Sequence, residues 1–139
     1  MPYTAHFMLE NLIRPLLAEL GEQRAGMAEL LLRCWQLGCS SGHPDGLGPY
    51  ALSSAQHRQL WDGWLAWRVE LASQIRGLAS QHHFLRDPDA ELACNLFYST
   101  ALAWVAIIAS ERTIPGAGDS AGQTLLWQQV FTSEQALAA

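Results

Sequence analysis

The chain contains no lysine, and its eight basic residues are arginines scattered between Arg14 and Arg112. Its formal net charge is -5 at pH 7. Proteins that bind nucleic acid usually present a basic patch that releases counterions from the phosphates. Scattered arginines in an acidic chain do not form such a patch, so we expect no direct binding to nucleic acid.

Charged residues and cysteines are also few. Charged residues make up 15% of the 139 residues and apolar residues 50%, which is not the composition of a disordered chain. The three cysteines are an odd number, unlike a secreted disulfide framework. The N-terminal stretch Met1–Leu20 carries Glu10 and Arg14 and does not resemble a signal peptide. We therefore expect a cytoplasmic protein with one domain over residues 1–139.

Long hydrophobic runs and strand patterns are absent as well. The apolar run Ala101–Ala109 is far shorter than the about 20 residues that span a bilayer, so we expect no contact with a membrane. No stretch alternates apolar and polar residues over the length of a strand. The expected fold class is all-α, a helical bundle of about five helices. The predicted helices are Thr4–Leu20, interrupted at Pro15, Glu22–Leu37, Ser54–His82, Asp87–Ser110 and Ser120–Leu137.

Several residues mark the expected helix ends. Gly21 and Gly38 are suited to stop helices, and Ser53 or Ser54 can cap the third helix. Asp87-Pro88 and Asp119 are start signals for the last two helices. The residues from Gly38 to Leu52 are rich in glycine and proline and predict a long loop.

The predicted fourth helix has no charged residue between Leu92 and Ser110. A helix that is apolar on nearly all sides must be covered on most of them. A small domain can hardly provide that cover alone, so we expect a homodimer.

No motif indicates catalysis or a metal site. Cys39 and His43 form one irregular pair, whereas structural zinc sites usually have two closely spaced pairs. The serines near His43 and Asp45 lie in a loop that supplies no fixed base, and no GxSxG or GxGxxG pattern occurs. We therefore expect no enzyme activity, no metal and no cofactor.

The six tryptophans suggest a ligand site. Plain core packing explains any single one of them, yet several tryptophans that face inward also line apolar cavities between helices. Arg68 follows Trp64 by one helical turn, and either extends to water or holds an anionic group. The residues predicted to form an inter-helix pocket are Trp35, Trp64, Trp67, Arg68, Leu71, Phe97 and Trp104.

From Leu60 onward, the stretch LWDGWLAWRVELASQIRGLASQHHFLRDPDAELACNLFYSTALAWVAII resembles the C-terminal ligand-binding and dimerisation domain of TetR-family transcriptional regulators. A tryptophan-bearing helix leads into an acid-led helix start at Asp87, as in that family. The resemblance implies an apolar pocket for a small hydrophobic molecule, and a two-fold dimer formed by the last two helices. The helix-turn-helix that defines these regulators has no counterpart in residues 1–52, so the expectation is a sensor domain alone, either excised or free-standing. The predicted interface residues are Leu96, Ala103, Ile107, Leu126 and Val130.

Two hypotheses follow. The first is a non-catalytic regulatory domain that binds a small apolar ligand and dimerises. The second is a small helical anti-activator or inhibitor that acts by binding another protein, in the manner of a helix docked in a groove.

Overall fold

A computed structural model of the chain describes residues 4–41, 44–79, 84 and 86–132. The regular structure of these residues is helical, apart from an isolated bridge between Leu47 and Leu52. The predicted all-α fold is confirmed. The described residues form seven helices rather than about five, because two of the predicted helices are broken.

Helix α1 consists of three consecutive segments, Ala5–Met8, the π-helical Leu9–Ile13 and Arg14–Leu20. The π-helical turn directly precedes Pro15, which has no backbone N–H to donate, so the proline occupies the first turn of a new α-helical segment. Gly21 ends the helix in the left-handed conformation with φ 77°. The predicted break at Pro15 and the predicted stop are therefore both present.

Helix α2 spans Met27–Ser41, so it begins and ends later than expected. Its predicted start is occupied by a turn in which Glu22 accepts hydrogen bonds from Arg24. Gly38 was expected to stop the helix, but it lies inside it and is buried. A Cβ atom at Gly38 would overlap the carbonyl oxygen of Pro49. The glycine therefore permits a close approach between the helix and the following loop.

The predicted third helix is divided in two. Helix α3, Ser54–Gly63, begins with a complete capping box between Ser53 and Gln56. A short 3-10 turn, Leu65–Trp67, separates it from helix α4, Val69–Arg76. The tryptophans of this region therefore do not share one continuous helical face. The predicted extension of this helix to His82 lies outside the described residues.

The predicted fourth helix is also divided, into α5, Pro88–Cys94, and α6, Leu96–Ala109, whose axes meet at 101°. Asn95 stabilises the corner, because its side chain accepts from the N–H of Tyr98 and donates to the carbonyl of Leu78. Asp87 occupies the cap position of α5 but makes no side-chain capping hydrogen bond there.

Helix α7, Ser120–Trp127, continues as the π-helical segment Gln128–Thr132. Asp119 caps it as predicted, accepting from the N–H of Gly122. This helix packs mainly against α2. Its predicted extension to Leu137 lies outside the described residues.

Helix α6 is the centre of the core. Every residue from Tyr98 to Ile107 is buried, and α1, α2, α3 and α4 all contact this helix. The chain therefore covers its uncharged helix by itself, and the expectation that a second copy is needed for this purpose is wrong. Burial of Ser99 and Thr100 on the same helix shows that even its polar positions face the interior.

Candidate functional site

A cleft of about 770 Å³ opens between the loop after α2, the first turn of α3 and the end of the last helix. It joins three parts of the chain that are far apart in sequence. The exposed area of its lining is mainly apolar and three of the lining residues are aromatic, although seven of the fourteen described lining residues have polar side chains. The lining residues are Ser41, Pro44, Asp45, Leu47, Tyr50, Ala51, Ser53, Ser54, Ala55, Gln56, Asp89, Trp127, Phe131 and Thr132.

The loop wall of the cleft is packed against the core. The N–H of Leu47 donates to the carbonyl of Leu52 at 2.8 Å, which closes the loop on itself. Tyr50 is fully buried, and its hydroxyl lies 2.9 Å from that of Thr100 on α6. Gly48 has φ 70°, and a Cβ atom there would overlap the carbonyl oxygen of Leu92. This wall is therefore a defined surface built on the helices.

Gln56 connects the floor of the cleft to its far wall. Its side-chain oxygen accepts from the N–H of Ser53 at 2.9 Å, which completes the capping box. Its amide nitrogen donates to the carbonyls of Val130 and Phe131 at 3.3 and 3.4 Å. Carbonyls near a helix end need partners from outside the helix ladder. One side chain thus fixes the start of α3 against the end of the last helix.

Asp89 is a charged group of the cleft with two side-chain partners. Its carboxylate accepts from the hydroxyl of Ser54 at 2.6 Å and lies 2.9 Å from Nδ1 of His57. Partial burial by itself works to raise the pKa of Asp89, but the hydrogen bonds from Ser54 and His57 outweigh it. The pKa of Asp89 is therefore below its ordinary value, and the group is an anion at neutral pH.

Behind Asp89 lies a chain of buried hydrogen bonds. Nε2 of His57 is 2.6 Å from the hydroxyl of Tyr98, and the indole N–H of Trp61 donates to the same hydroxyl at 2.8 Å. One arrangement satisfies every group: His57 donates from Nδ1 to Asp89 and accepts at Nε2 from Tyr98. The chain of groups is thus internally complete and holds the carboxylate of Asp89 in one orientation.

The same chain of groups does not present a reactive atom to the cleft. His57 and Tyr98 have almost no exposed surface, and burial raises the pKa of Tyr98 above its ordinary value despite the hydrogen bond from Trp61. A general base must lie within hydrogen-bond reach of the proton that it removes. Both nitrogens of His57 already have protein partners, so the geometry suits a positioning role.

Trp127 forms part of the opposite wall. Its indole N–H is buried and has no hydrogen-bond partner among the residues that the structure describes. Buried polar groups are normally paired, and a bound water or ligand atom is one common partner. The charged residues in the lining are Asp45 and Asp89, and no basic residue of the described chain lines this cleft.

The seven residues predicted to form a pocket are not brought together. Trp35 and Trp104 are buried, and the indole N–H of Trp104 donates to Glu22. Trp67 is 80% exposed and Phe97 45% exposed, while Leu71 is half-buried. None of the seven lines the large cleft.

Trp64 and Arg68 lie together at the surface. Trp64 lines a second cleft of about 400 Å³. The guanidinium of Arg68 lies 3.8 Å from the centre of the Trp64 ring and donates to the Trp64 carbonyl. Arg68 is exposed, as expected if it extends to water.

The predicted interface residues face the interior of the chain rather than its surface. Ala103 and Ile107 are fully buried, and Leu126 and Val130 nearly so, whereas Leu96 is half-buried. Substituting Ala103 would therefore disturb the core before it disturbed any interface.

The described chain contains no candidate metal site and no single membrane-spanning helix. No group of three or more His, Cys, Asp or Glu side chains there could hold a metal ion. Cys39 is exposed, and its predicted partner His43 lies outside the described residues. No single described helix is long and apolar enough to cross a membrane, although α5 and α6 pass that test together as a bent pair.

The sequence analysis missed His57, Asp89 and Tyr98. Asp89 and Tyr98 follow His57 by 32 and 41 positions along the chain, so no local spacing links them to this histidine. The position of Asp89 in the first turn after Asp87 indicates a helix start and no further role. The one available signal was a histidine within the first turn of a capped helix.

Comparisons with known proteins identify no relative. No family model matches the chain, and no curated protein or solved structure matches it either. The resemblance to TetR-family regulators therefore stays a prediction. What the fold and the cleft define is an all-α domain with an open apolar site.

Proposed function

We propose that this protein is a non-catalytic helical regulatory domain that binds a small apolar ligand. The observation that carries the proposal is the 770 Å³ cleft between the 44–52 loop, α3 and the last helix. Ligand pockets typically have volumes of about 300–1,000 Å³, mostly apolar walls and a few placed polar groups. Leu47, Trp127 and Phe131 provide such walls, and Asp89 is the placed polar group.

The position of the cleft suits regulation. A ligand there would touch three elements at once, and Gln56 already links two of them. A molecule that binds only the assembled cleft stabilises that arrangement by an amount that grows with the logarithm of its concentration above the dissociation constant. Ligand binding would thereby fix the end of the last helix relative to the loop.

The hydrogen bonds and burial of Ser54 and His57 favour a binding function over a catalytic one. Ser54 donates its hydroxyl hydrogen to Asp89, and His57 is enclosed. A nucleophile needs a free base beside it. The hydrogen bonds of Ser54 are instead used to hold the carboxylate.

The test is a titration with neutral apolar aromatic fragments, followed by chemical shifts of the ¹⁵N-labelled chain. We expect perturbations at Leu47, Ala55 and the Trp127 indole. The change Ala55→Phe places a ring in the cleft and should abolish these perturbations. Ala18→Phe, on the exposed face of α1, is the matched control and should leave them unchanged. Perturbations that persist in Ala55→Phe would contradict the proposed site.

A second candidate function is binding to another protein, and one observation favours it. Trp67 is 80% exposed and Val69 is 76% exposed, side by side at the break between α3 and α4. Exposed tryptophans are over-represented among the residues that carry binding energy at interfaces. The change Trp67→Ala should abolish recovery of a stoichiometric partner from native extract, whereas Leu125→Ala should not. A partner retained equally by both variants would count against this surface.

A further inference from the structure

We infer that the ligand of the 770 Å³ cleft is an organic cation, an amine with an apolar or aromatic body whose charged nitrogen faces Asp89. The inference rests on the proposed function and adds the chemical class of the ligand. It is carried by the combination of an oriented carboxylate with aromatic walls in one cleft.

The charged residues that the structure describes in the lining of the cleft are acidic. Asp45 and Asp89 line it, and no basic residue of the described chain does. A negatively charged ligand would meet repulsion there, and a neutral ligand without a hydrogen-bond donor would remove water from Asp89 without offering it a partner. A protonated amine avoids both costs.

The hydrogen-bond partners of Asp89 stabilise its ionised carboxylate when a ligand fills the cleft. The hydrogen bonds from Ser54 and His57 hold its two oxygens at 2.6 and 2.9 Å. Each carboxylate oxygen can accept more than one hydrogen bond, so these contacts leave room for an ammonium donor. His57 is fixed in turn by Tyr98, which makes the orientation independent of the ligand.

The neighbouring basic residue does not replace such a ligand. Arg58 contributes to the lowered pKa of Asp89, but its side chain is exposed and its guanidinium lies 3.5 Å from Ser54 rather than in the cleft. Water screens an exposed charge of this kind. Arg58 is therefore not part of the lining that a ligand in the cleft would contact.

The aromatic walls supply the second half of the recognition. Trp127 and Phe131 line the same cleft as the carboxylates. Aromatic faces attract cations, and tryptophan does so most strongly. The apolar body of the ligand would pack on these rings and on Leu47.

The second cleft offers an internal contrast. It holds about 400 Å³, and its one charged lining residue in the described chain is Arg112. The two clefts thus differ in the sign of their charge. An apolar cation should select the larger cleft, whereas an apolar anion should not.

The experiment compares three probes of one shape: phenylbutylamine, phenylbutanol and phenylbutyrate. Binding to the ¹⁵N-labelled full chain is followed at the Trp127 indole and at Ala55. We expect the amine to bind about tenfold more tightly than the alcohol, the ratio that one charge-assisted contact produces, and the butyrate to bind more weakly than both.

Two variants assign the effect to the carboxylate. Asp89→Asn should reduce the preference for the amine over the alcohol to about twofold or less. Asp62→Asn makes the same change in net charge at an exposed position of α3 outside both clefts, and should keep the preference. If Asp89→Asn does not fold, Asp89→Ser replaces it in the same titration and should likewise reduce the preference.

The outcomes separate the two proposals. Equal binding of amine and alcohol by the natural chain, or a preference for the amine that survives substitution of Asp89, overturns the cationic ligand but leaves an apolar site. If none of the three probes perturbs the cleft, the proposed function itself is overturned.

Discussion

His57 connects three helices through its two ring nitrogens. It lies on α3, contacts Asp89 on α5 through Nδ1 and contacts Tyr98 on α6 through Nε2. Trp61 adds a fourth member from α3. Each buried polar group in this chain of contacts has a partner, so removing one member leaves others unpaired.

Replacing Tyr98 by Phe tests that view. The loss of the hydroxyl leaves Nε2 of His57 and the N–H of Trp61 without partners, which should lower the free energy of unfolding by about 1–3 kcal/mol. Tyr50→Phe is the matched control, because the hydroxyl of Tyr50 contacts only the rotatable hydroxyl of Thr100 among the described residues. Urea unfolding measures both. Equal losses of unfolding free energy in the two variants would show that the hydroxyl of Tyr98 stabilises the fold no more than that of Tyr50.

Glu22 predicts a pH dependence. Its side chain is 5% exposed, and burial works to raise its pKa, but hydrogen bonds from Arg24 and Trp104 lower the pKa from 4.5 to about 2. A folded-state pKa below the unfolded value stabilises the fold above pH 4.5, and this stabilisation is lost as the pH falls towards 2.

The comparison variant is Glu22→Gln, which keeps the shape and removes the titration. Unfolding free energies measured between pH 5 and pH 2 should fall less steeply for this variant than for the natural chain. Parallel curves would mean that Glu22 does not contribute to the acid sensitivity.

At the level of elements, breaks in helices place the cleft. The corner at Asn95 directs α5 across the start of α3 and so brings Asp89 to Ser54. The continuation of α2 past Gly38 brings Ser41 to the mouth of the cleft. The π-helical segment at the end of the chain supplies Phe131 and Thr132 to the opposite wall. Continuous helices of the predicted lengths would not form this cleft.

Gly38→Ala tests the packing of α2 against the loop. A methyl group there would overlap Pro49 and approach the backbone of Tyr50 at 2.9 Å. We expect a loss of about 1–3 kcal/mol in the free energy of unfolding. Gly63→Ala, at the end of α3 with only Gln59 nearby at 3.9 Å, should be neutral or stabilising by up to about 1 kcal/mol. A tolerated Gly38→Ala would contradict the close approach. Calorimetry or urea unfolding suffices.

At the level of the whole molecule, the exposed apolar residues are dispersed. Trp67 and Val69 form one pair, while Phe97 and Leu125 stand on α6 and α7. The predicted homodimer cannot use Ala103 or Ile107, which the chain itself buries. If the last two helices form its interface, outward residues such as Leu125, which is 54% exposed, must provide the contact.

Native mass spectrometry decides this point. For a dimer formed by the last helix, Leu125→Glu should convert the dimer to a monomer, because it places a charge in an apolar contact. Val69→Glu, at a residue 76% exposed on α4, should leave that dimer intact. If Val69→Glu is monomeric and Leu125→Glu stays dimeric, the interface lies at the break between α3 and α4. If the natural chain is itself a monomer, the dimer is excluded.

The amino-acid sequence by itself determined the fold class and many helix ends. Gly21, Ser53 and Asp119 act through contacts within one or two turns, so local chemistry was enough to predict them. The same holds for the interruption at Pro15. The breaks at Trp64 and Asn95 were not predicted, because the apolar periodicity continues across both.

Only the tertiary structure decided where the site lies. The apolar face expected for the third predicted helix does not continue past the break at Trp64. The chain also covers α6 without a partner. Asp89, His57 and Tyr98 meet through packing between helices that are distant in sequence. The helix-start role of Asp89 was visible locally, whereas its place in the cleft depends on how α5 crosses α3. Long-range packing leaves no spacing pattern, and for this reason the cleft had to be found in three dimensions.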